Sequence, residues 1–238
     1  MISHELVITK RDSHKRGSTD LGWLDSKHSF SFGGYIDPDH VGYRSLRVIN
    51  EDIVAPSKGF GAHQHRSMEI LTYVISGKLE HKDSLGNGRI IKAGEFQYMS
   101  AGTGVVHSEM NPDPDNAAYF LQIWIQPKEQ GGAPRYRDFD TKDKRIPNGL
   151  LLLASPDGQH GSASIRQDAE IHFGDLEASK SISIQAENAY PYSWIQIIQS
   201  DLEISGETFK PGDGVAIEGG DFTINANERT QFILFRLS

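Results

Sequence analysis

Two short segments of the sequence place metal-binding side chains two residues apart. The first contains His63 and His65, and the second contains His107 and Glu109. Residues two apart in a β-strand point to the same face, so each pair would project together from one strand. If both strands face one cavity, three imidazoles and a carboxylate converge there. Such a set suits iron, manganese, nickel or copper and leaves two octahedral positions open.

Neither pair is specific by itself. The chain has 10 histidines among 238 residues, so a His-x-His pair arises readily by chance, and the alternative is surface or core histidines that happen to alternate. Both pairs, however, lie in glycine-punctuated, strand-like sequence, and a second pair at strand spacing is an independent requirement. The spacing therefore predicts a metal site.

The strands that would carry these residues are indicated by β-branched and aromatic runs between turn signals. An Asn-Gly pair within residues 85–88 predicts a hairpin. Many short strands and no persuasive helix predict a closed barrel or a sandwich. The predicted strands of this half are residues 43–50, 68–75, 78–83, 89–92, 95–99, 105–109 and 117–126.

Two further histidines lie in this half of the chain. His28 belongs to the aromatic, glycine-rich segment 23–35, whose rings we expect to pack beneath the first sheet. The alternative places His28 near the mouth of the cavity. His81 alternates with Leu79, and we expect it to face solvent.

Residues 127–149 lack the strand pattern of the preceding residues and contain glycines, prolines and a mixed-charge run. This composition predicts a connector between domains. Strand signals resume in a second β-unit of similar size, but His160 and His172 stand alone there. We therefore predict a metal-binding domain at residues 1–133 and a degenerate domain without metal at residues 134–238. The predicted strands of the second unit are residues 150–154, 181–185, 192–199, 214–218, 222–225 and 231–237.

Composition excludes several classes of protein. An apolar content of 37% with 24 glycines is ordinary for a globular chain and excludes a disordered one. The net charge of -8 argues against nucleic acid or an anionic membrane as the main partner. The absence of cysteine removes disulfides and thiolate metal sites. Because no segment is typical of a signal peptide or a membrane span, we expect a cytoplasmic protein. We also expect the chain to act as a monomer.

Wider segments around the two pairs resemble the cupin motifs. Residues 59–77 contain a glycine, the His-x-His pair, Glu69 and a closing glycine, as in the first cupin motif. Residues 94–111 resemble the second motif, in which His107 is followed four residues later by Asn111. This segment departs from the motif because Ser100 stands where cupins usually have proline and extra residues precede the histidine.

Together with residues 22–26, 28–32 and 46–50, these motifs make the chain similar to the pirin family, and more closely to its bacterial quercetin dioxygenase-like members. The resemblance is specific over residues 20–127 and diffuse beyond them. It implies an all-β fold in which two cupin-type (jelly-roll) β-barrels pack together, with a metal-free C-terminal barrel.

The resemblance also implies a reaction and a ligand set. Such family members open the central ring of flavonols such as quercetin with O2 and release carbon monoxide. His63, His65, His107 and Glu109 would hold one divalent metal per chain, with Fe(II) as first choice and Ni, Cu, Mn or Zn as alternatives. Substrate and O2 would be the partners. Glu109 is the candidate base that takes the proton of the flavonol 3-hydroxyl.

Two assignments stay open at this level. Glu69 follows His65 by four residues and occupies the place where many cupins carry their metal carboxylate. The pirin resemblance favours Glu109 as the ligand and leaves Glu69 to hydrogen-bond a ligand imidazole. Metal coordination lowers the pKa of a carboxyl group and weakens it as a base. Glu109 therefore serves both roles only if one oxygen stays free or becomes free when substrate binds.

Two other functions also stay open. Pirin itself is regarded as a metal-dependent regulator of transcription-factor partners, so one alternative is a pirin-like metal-binding regulatory protein that acts through protein partners. The other is a different cupin enzyme, such as an isomerase or a dioxygenase for another substrate. Metal-dependent O2 uptake with a flavonol would separate the enzymes from the regulatory protein.

Overall fold

A computed structural model describes residues 5–141 and 144–238, which pack as two compact units. The described part of the first unit is residues 17–141, and the second combines residues 5–16 with residues 144–238. Almost all regular structure is β-strand, which confirms the predicted all-β class. The described helices are short 3-10 turns, Ser13–Lys15 and Gln159–Gly161. In the described chain, no helix has the length and apolarity needed to span a membrane.

The strands are numbered in chain order. They are β1 (Val7–Arg11), β2 (Gly17–Asp20), β3 (Leu24–His28), β4 (Leu46–Val54), β5 (Gly59–His65), β6 (Glu69–Ser76), β7 (Lys78–Asp83), β8 (Gly88–Lys92), β9 (Glu95–Ser100), β10 (Val105–Met110), β11 (Ala118–Ile125), β12 (Arg135–Asp140), β13 (Gly149–Ser155), β14 (Ala163–Ser164), β15 (Ala169–Leu176), β16 (Lys180–Ile184), β17 (Tyr192–Gln199), β18 (Leu202–Ile204), β19 (Glu207–Phe209), β20 (Gly214–Glu218), β21 (Phe222–Ala226) and β22 (Thr230–Leu237).

The first unit consists of two antiparallel sheets. One has the strand order β12-β9-β6-β11-β4-β3-β2, and the other has the order β5-β10-β7-β8. Val74 and Phe120 of the first sheet share a buried cluster with Leu79 and Ile91 of the second. The two sheets therefore face each other across a common apolar core, as in a sandwich or a flattened barrel. The predicted hairpin of this unit is confirmed, because β7 pairs with β8.

The second unit repeats this architecture. Its sheets have the orders β1-β20-β17-β22-β15-β13-β14 and β16-β21-β18-β19. Ile195 and Phe232 of one sheet pack in the same buried cluster as Ile204 and Ile224 of the other. Strand β1 adds an edge to the first of these sheets by antiparallel pairing with β20.

The first unit differs from the predicted domain of residues 1–133 at both of its boundaries. Residues 7–11 join the second unit because Leu6 and Ile8 pack against its core. Residues 135–140, predicted as part of a connector, form β12 and pair with β9. The charged side chains of β12 were interpreted as a connector. Charges are also common on edge strands, and β12 is the edge strand of its sheet. The predicted connector also includes residues 142–143, which lie outside the described residues.

Candidate metal centre

Strands β5 and β10 are antiparallel neighbours that bring the predicted histidines to one face. His63 lies opposite His107, and His65 lies opposite Val105. Opposed residues on antiparallel strands point to the same side of the sheet. Ring centroids are 4.4 Å apart for His63 and His107, and 4.8 Å apart for His65 and His107. One potential ligand atom from each of the three residues lies within 4.8 Å of the others, so the three imidazoles converge.

The protonation states of these imidazoles suit metal binding. Burial lowers the pKa of His65 to about 4 and that of His107 to about 3, with neighbouring histidines adding to the effect. Both rings are therefore neutral near pH 7, the form in which histidine binds metals. His63 Nδ1 lies 2.8 Å from the Gly61 carbonyl oxygen and donates to it, so its Nε2 keeps a lone pair.

One ring nitrogen of His107 gives the clearest indication that a ligand binds at this site. His107 Nε2 is buried and has no hydrogen-bond partner among the described residues. A buried polar atom without a partner is costly, and such atoms are rare in folded proteins. The donor set of neutral imidazoles, with this lone pair unused, fits a divalent metal of the borderline class.

Glu109 lies beside His107 but in a second, overlapping group. The register of β10 on β5 shifts between His107 and Glu109, and on its other side Glu109 lies opposite His81 of β7. Potential ligand atoms of His81, His107 and Glu109 lie within 4.8 Å of one another. The four predicted ligands thus fall into two groups that share His107, and the second group also contains His81, which was not predicted as a ligand.

The Glu109 carboxylate is held by three side chains from the facing sheet. Gln122 Nε2 donates to Oε2 at 2.6 Å, Gln97 Nε2 donates to Oε1 at 2.9 Å, and Thr72 Oγ1 donates to Oε1 at 3.4 Å. Burial raises the pKa of Glu109 to about 7 against the hydrogen bond from Gln122, and the nearby Asp52 raises it further. The carboxyl group is thereby oriented and poised to exchange a proton near neutral pH.

Glu69 occupies a different environment. Its carboxylate accepts hydrogen bonds from the Tyr98 hydroxyl and from Ser100 Oγ, the latter at 2.7 Å. In the part of the chain that the structure describes, no group of converging ligand atoms includes Glu69. Ser100, the residue at the usual cupin proline position, is thus a hydrogen-bond donor to this carboxylate.

His81 is buried, and the prediction that it faces solvent is wrong. Its exposed fraction is 0%, and its ring stacks on Tyr136 with the centroids 4.7 Å apart. Residues two apart on a strand share a face, so alternation with the buried Leu79 places His81 inside. The alternation with Leu79 therefore indicates a buried His81, and the prediction assigned His81 to the wrong face of the strand.

A chain of hydrogen bonds runs from Asp83 through His81 to His107. His81 Nε2 is 3.1 Å from Asp83 Oδ2, and His81 Nδ1 is 3.4 Å from His107 Nδ1. Burial alone would raise the pKa of Asp83, but hydrogen bonds from Asn87 and His81 outweigh it and keep that pKa below its ordinary value. Because an ionised carboxylate only accepts, His81 donates to Asp83 and accepts from His107. The lone pair of His107 is then fixed at Nε2.

Replacement of His81 should weaken metal binding without removing a ligand. We expect His81→Gln to lower the affinity for nickel(II) by about 10- to 100-fold, the usual cost of losing an outer partner of a ligand histidine. Competition titration against a chelating dye measures this. His172→Gln is the matched control, because His172 Nε2 also lies 3.1 Å from a carboxylate two residues away, that of Glu170. Equal affinities in all three proteins, with the fold intact by circular dichroism, would contradict the role assigned to His81.

A cavity of about 260 Å³ adjoins the histidines. His28 is buried, with its ring centroid 5.4 Å from that of Phe32, and it also lines the cavity, so both expectations for this residue hold in part. The aromatic side chains Phe32, Phe60 and Trp124 are among the residues that line the cavity. The lining residues are Thr19, Leu21, Leu24, Ser26, His28, Phe32, Gly33, Gly34, Asn50, Asp52, Phe60, His63, His65, Glu109, Gln122 and Trp124.

Two β-sandwich units and a histidine-lined cavity in the first define a two-domain cupin protein. Residues 9–125 match the Pirin family model, and residues 152–237 match a model described as Quercetinase C-terminal cupin domain. The chain is 42% identical over 236 residues to a protein of Escherichia coli strain K12 named quercetin 2,3-dioxygenase, with 97% of this chain and 99% of that protein covered. The chain belongs to the pirin family.

Solved structures agree with this assignment. The crystal structure of YhhW from Escherichia coli superposes with a TM-score of 0.92 at 40% identity and covers 98% of each chain. A second structure of that protein, described as a bacterial pirin in complex with nickel(II), also gives 0.92 at 40% identity, with 97% of this chain and 99% of that chain covered. YhaK from Escherichia coli gives 0.70 at 28% identity, with 93% and 97% covered. The predicted pair of cupin domains is confirmed.

Proposed function

We propose that this protein is a metal-dependent dioxygenase that opens the central ring of flavonols such as quercetin with O2. The observation that carries the proposal is the convergence of three imidazoles within 4.8 Å beside an aromatic-lined cavity of about 260 Å³. That volume lies just below the roughly 300–1,000 Å³ typical of small-molecule sites. The lining residues Phe32, Phe60 and Trp124 suit an aromatic ligand. The name of the Escherichia coli relative supports the choice of substrate.

His63, His65 and His107 are the proposed metal ligands, with Glu109 as the fourth. When bound, a divalent metal would acidify the substrate hydroxyl and provide a position for O2. Iron(II) is the proposed native metal, because imidazole with carboxylate suits it. The nickel(II) complex of the related pirin supports nickel as an alternative.

Glu109 is the proposed base for the flavonol 3-hydroxyl. Its carboxylate lines the cavity, and burial raises its pKa in the metal-free protein. A metal bound to one oxygen would lower this pKa, so the other oxygen must be free to accept the hydroxyl proton. Gln97 and Gln122 donate to different oxygens of this carboxylate and fix its orientation during the transfer. The aromatic side chains Phe32, Phe60 and Trp124 line the same cavity as this carboxylate.

An oxygen electrode provides the test of this function. Metal-free protein should consume no O2 with quercetin, whereas protein reloaded with iron(II) or nickel(II) should consume O2 only when quercetin is present. Absence of flavonol-dependent uptake in every reloaded form would contradict the dioxygenase proposal. That result would favour the pirin-like regulatory alternative.

A further inference from the structure

A group of hydrogen-bonding side chains lines the cavity on the sheet that faces the histidines. We call it the polar wall: Thr19, Ser26, His28, Asn50 and Asp52. The residues lie opposite one another on β2, β3 and β4, with Ser26 beside Asp52 and His28 beside Asn50. His63 and His65 belong to the other sheet. A ligand between the sheets can therefore contact both the histidines and the polar wall.

Most members of the polar wall satisfy one another. His28 Nδ1 lies 2.8 Å from Asn50 Oδ1 and donates to it, and Thr19 Oγ1 lies 2.9 Å from His28 Nε2. The Ser26 hydroxyl donates to Asp52 Oδ1. These contacts hold the wall in one arrangement, as a preorganised binding surface requires.

Asp52 is the member of the polar wall that keeps unused hydrogen-bond acceptor positions. Within the described chain, the Asp52 carboxylate receives a hydrogen bond from Ser26. A carboxylate has about four acceptor positions, so others remain for a ligand. Its exposed fraction is 3%, and no cation of the described residues forms an ion pair with it. Burial raises the pKa of Asp52 to about 7, against the hydrogen bond from Ser26.

A buried carboxyl group with one hydrogen bond is stabilised by a further donor that reaches it from the cavity. Unpaired ionisable groups inside a protein are penalised by desolvation, and they concentrate at functional sites. The Ser26 contact accounts for one of the two carboxylate oxygens. The cavity next to Asp52 is where a further donor would lie, and phenolic hydroxyls are strong donors to carboxylates.

We propose that Asp52 is a specificity residue that accepts a hydrogen bond from a phenolic hydroxyl of the substrate remote from the reacting 3-hydroxyl. The inference rests on the proposed dioxygenase function and narrows its substrates to flavonols hydroxylated on an outer ring. The histidines and Glu109 would act on the central ring, while Asp52 of the facing sheet recognises the outer ring. A flavonol without outer hydroxyls would leave Asp52 with the hydrogen bond from Ser26 and without a donor from the ligand.

The test pairs a protein change with a substrate change. Quercetin has hydroxyls on both outer rings, whereas 3-hydroxyflavone keeps only the reactive hydroxyl. In nickel-loaded wild-type protein, we expect kcat/KM for quercetin to exceed that for 3-hydroxyflavone. Asp52→Asn should lower the value for quercetin by about 10- to 100-fold more than the value for 3-hydroxyflavone, as expected for loss of a hydrogen bond to a charged group. The change in the 3-hydroxyflavone value reports the effect that Asp52 has on the nearby Glu109.

Binding without turnover gives an independent readout. Under anaerobic conditions, fluorescence titration of nickel-loaded protein should show the same selective loss of quercetin affinity in Asp52→Asn. Asp25→Asn is the matched control, because Asp25 lies on the neighbouring strand with 52% of its side chain exposed and pairs with Lys27. Asp52→Ala provides a second variant that removes both carboxylate oxygens, and nickel content verifies that the centre is intact in each protein.

The outcomes separate this inference from the function on which it rests. If wild-type protein turns over both flavonols and Asp52→Asn affects them equally, the role of Asp52 is overturned and the dioxygenase function stands. If wild-type protein neither binds nor oxidises either flavonol, the proposed function fails and the role of Asp52 fails with it. A selective loss for quercetin in both readouts supports the inference.

Discussion

Replacement of His63 and His65 together by alanine should remove the metal from the protein. The two imidazoles supply two of the three converging nitrogen donors, so their loss should weaken binding by more than the roughly 10- to 100-fold that follows loss of an outer partner. Metal analysis of the purified variant, after passage over a chelating resin, measures the remaining content. We expect a content close to the background of the resin-treated buffer.

His160→Ala/His172→Ala is the matched control for this experiment. It also removes two histidines, but from the second unit, where the sequence predicts no metal site. Its metal content and activity should remain near those of the wild type. Unchanged metal in the His63→Ala/His65→Ala variant, or loss of metal in the control, would place the centre elsewhere in the chain.

Replacement of Glu109 by glutamine should reduce activity far more than metal content. The amide keeps a carbonyl oxygen that can reach the metal, but it cannot accept the proton of the flavonol 3-hydroxyl. Removal of a general base typically costs about 10²- to 10⁴-fold in rate. Steady-state O2 uptake with quercetin, normalised to bound metal, gives the comparison.

Glu69→Gln is the control that distinguishes the two acidic candidates. The Glu69 carboxylate receives hydrogen bonds from Tyr98 and Ser100, so its replacement should lower stability with a smaller effect on turnover per metal. Loss of turnover in Glu69→Gln with near-normal turnover in Glu109→Gln would reverse the two roles. The chain would then follow the general cupin pattern rather than the pirin pattern.

The parts of the site that could be predicted depend on spacing within one strand. His63 and His65 project together because residues two apart share a face, and the same rule applies to His107 and Glu109. Their roles as ligands stay a prediction, but the projection of each pair to one face of its strand follows from two strand-like segments alone. The all-β class follows equally from local signals, since turn residues and β-branched runs recur along the chain.

The parts that could not be predicted depend on which strands become neighbours. Gln97 and Gln122 reach Glu109 from β9 and β11, which no local pattern places beside β10. Asp52 enters the cavity because β4 lies in the sheet facing the histidines. Such contacts are set by the register and order of distant strands, which sequence periodicity does not specify. Strand β12 was missed for a related reason, since its charges obscured an edge strand.

The most direct measurement of the central claim follows the atoms of O2 during turnover of quercetin. Metal-loaded protein is incubated with quercetin and isotopically labelled O2, the ring-opened product is analysed by mass spectrometry, and carbon monoxide is quantified. A dioxygenase should place both labelled atoms in the products, with carbon monoxide formed in equal amount to the quercetin consumed. Unlabelled products, or O2 consumption that yields hydrogen peroxide without carbon monoxide, would contradict the account.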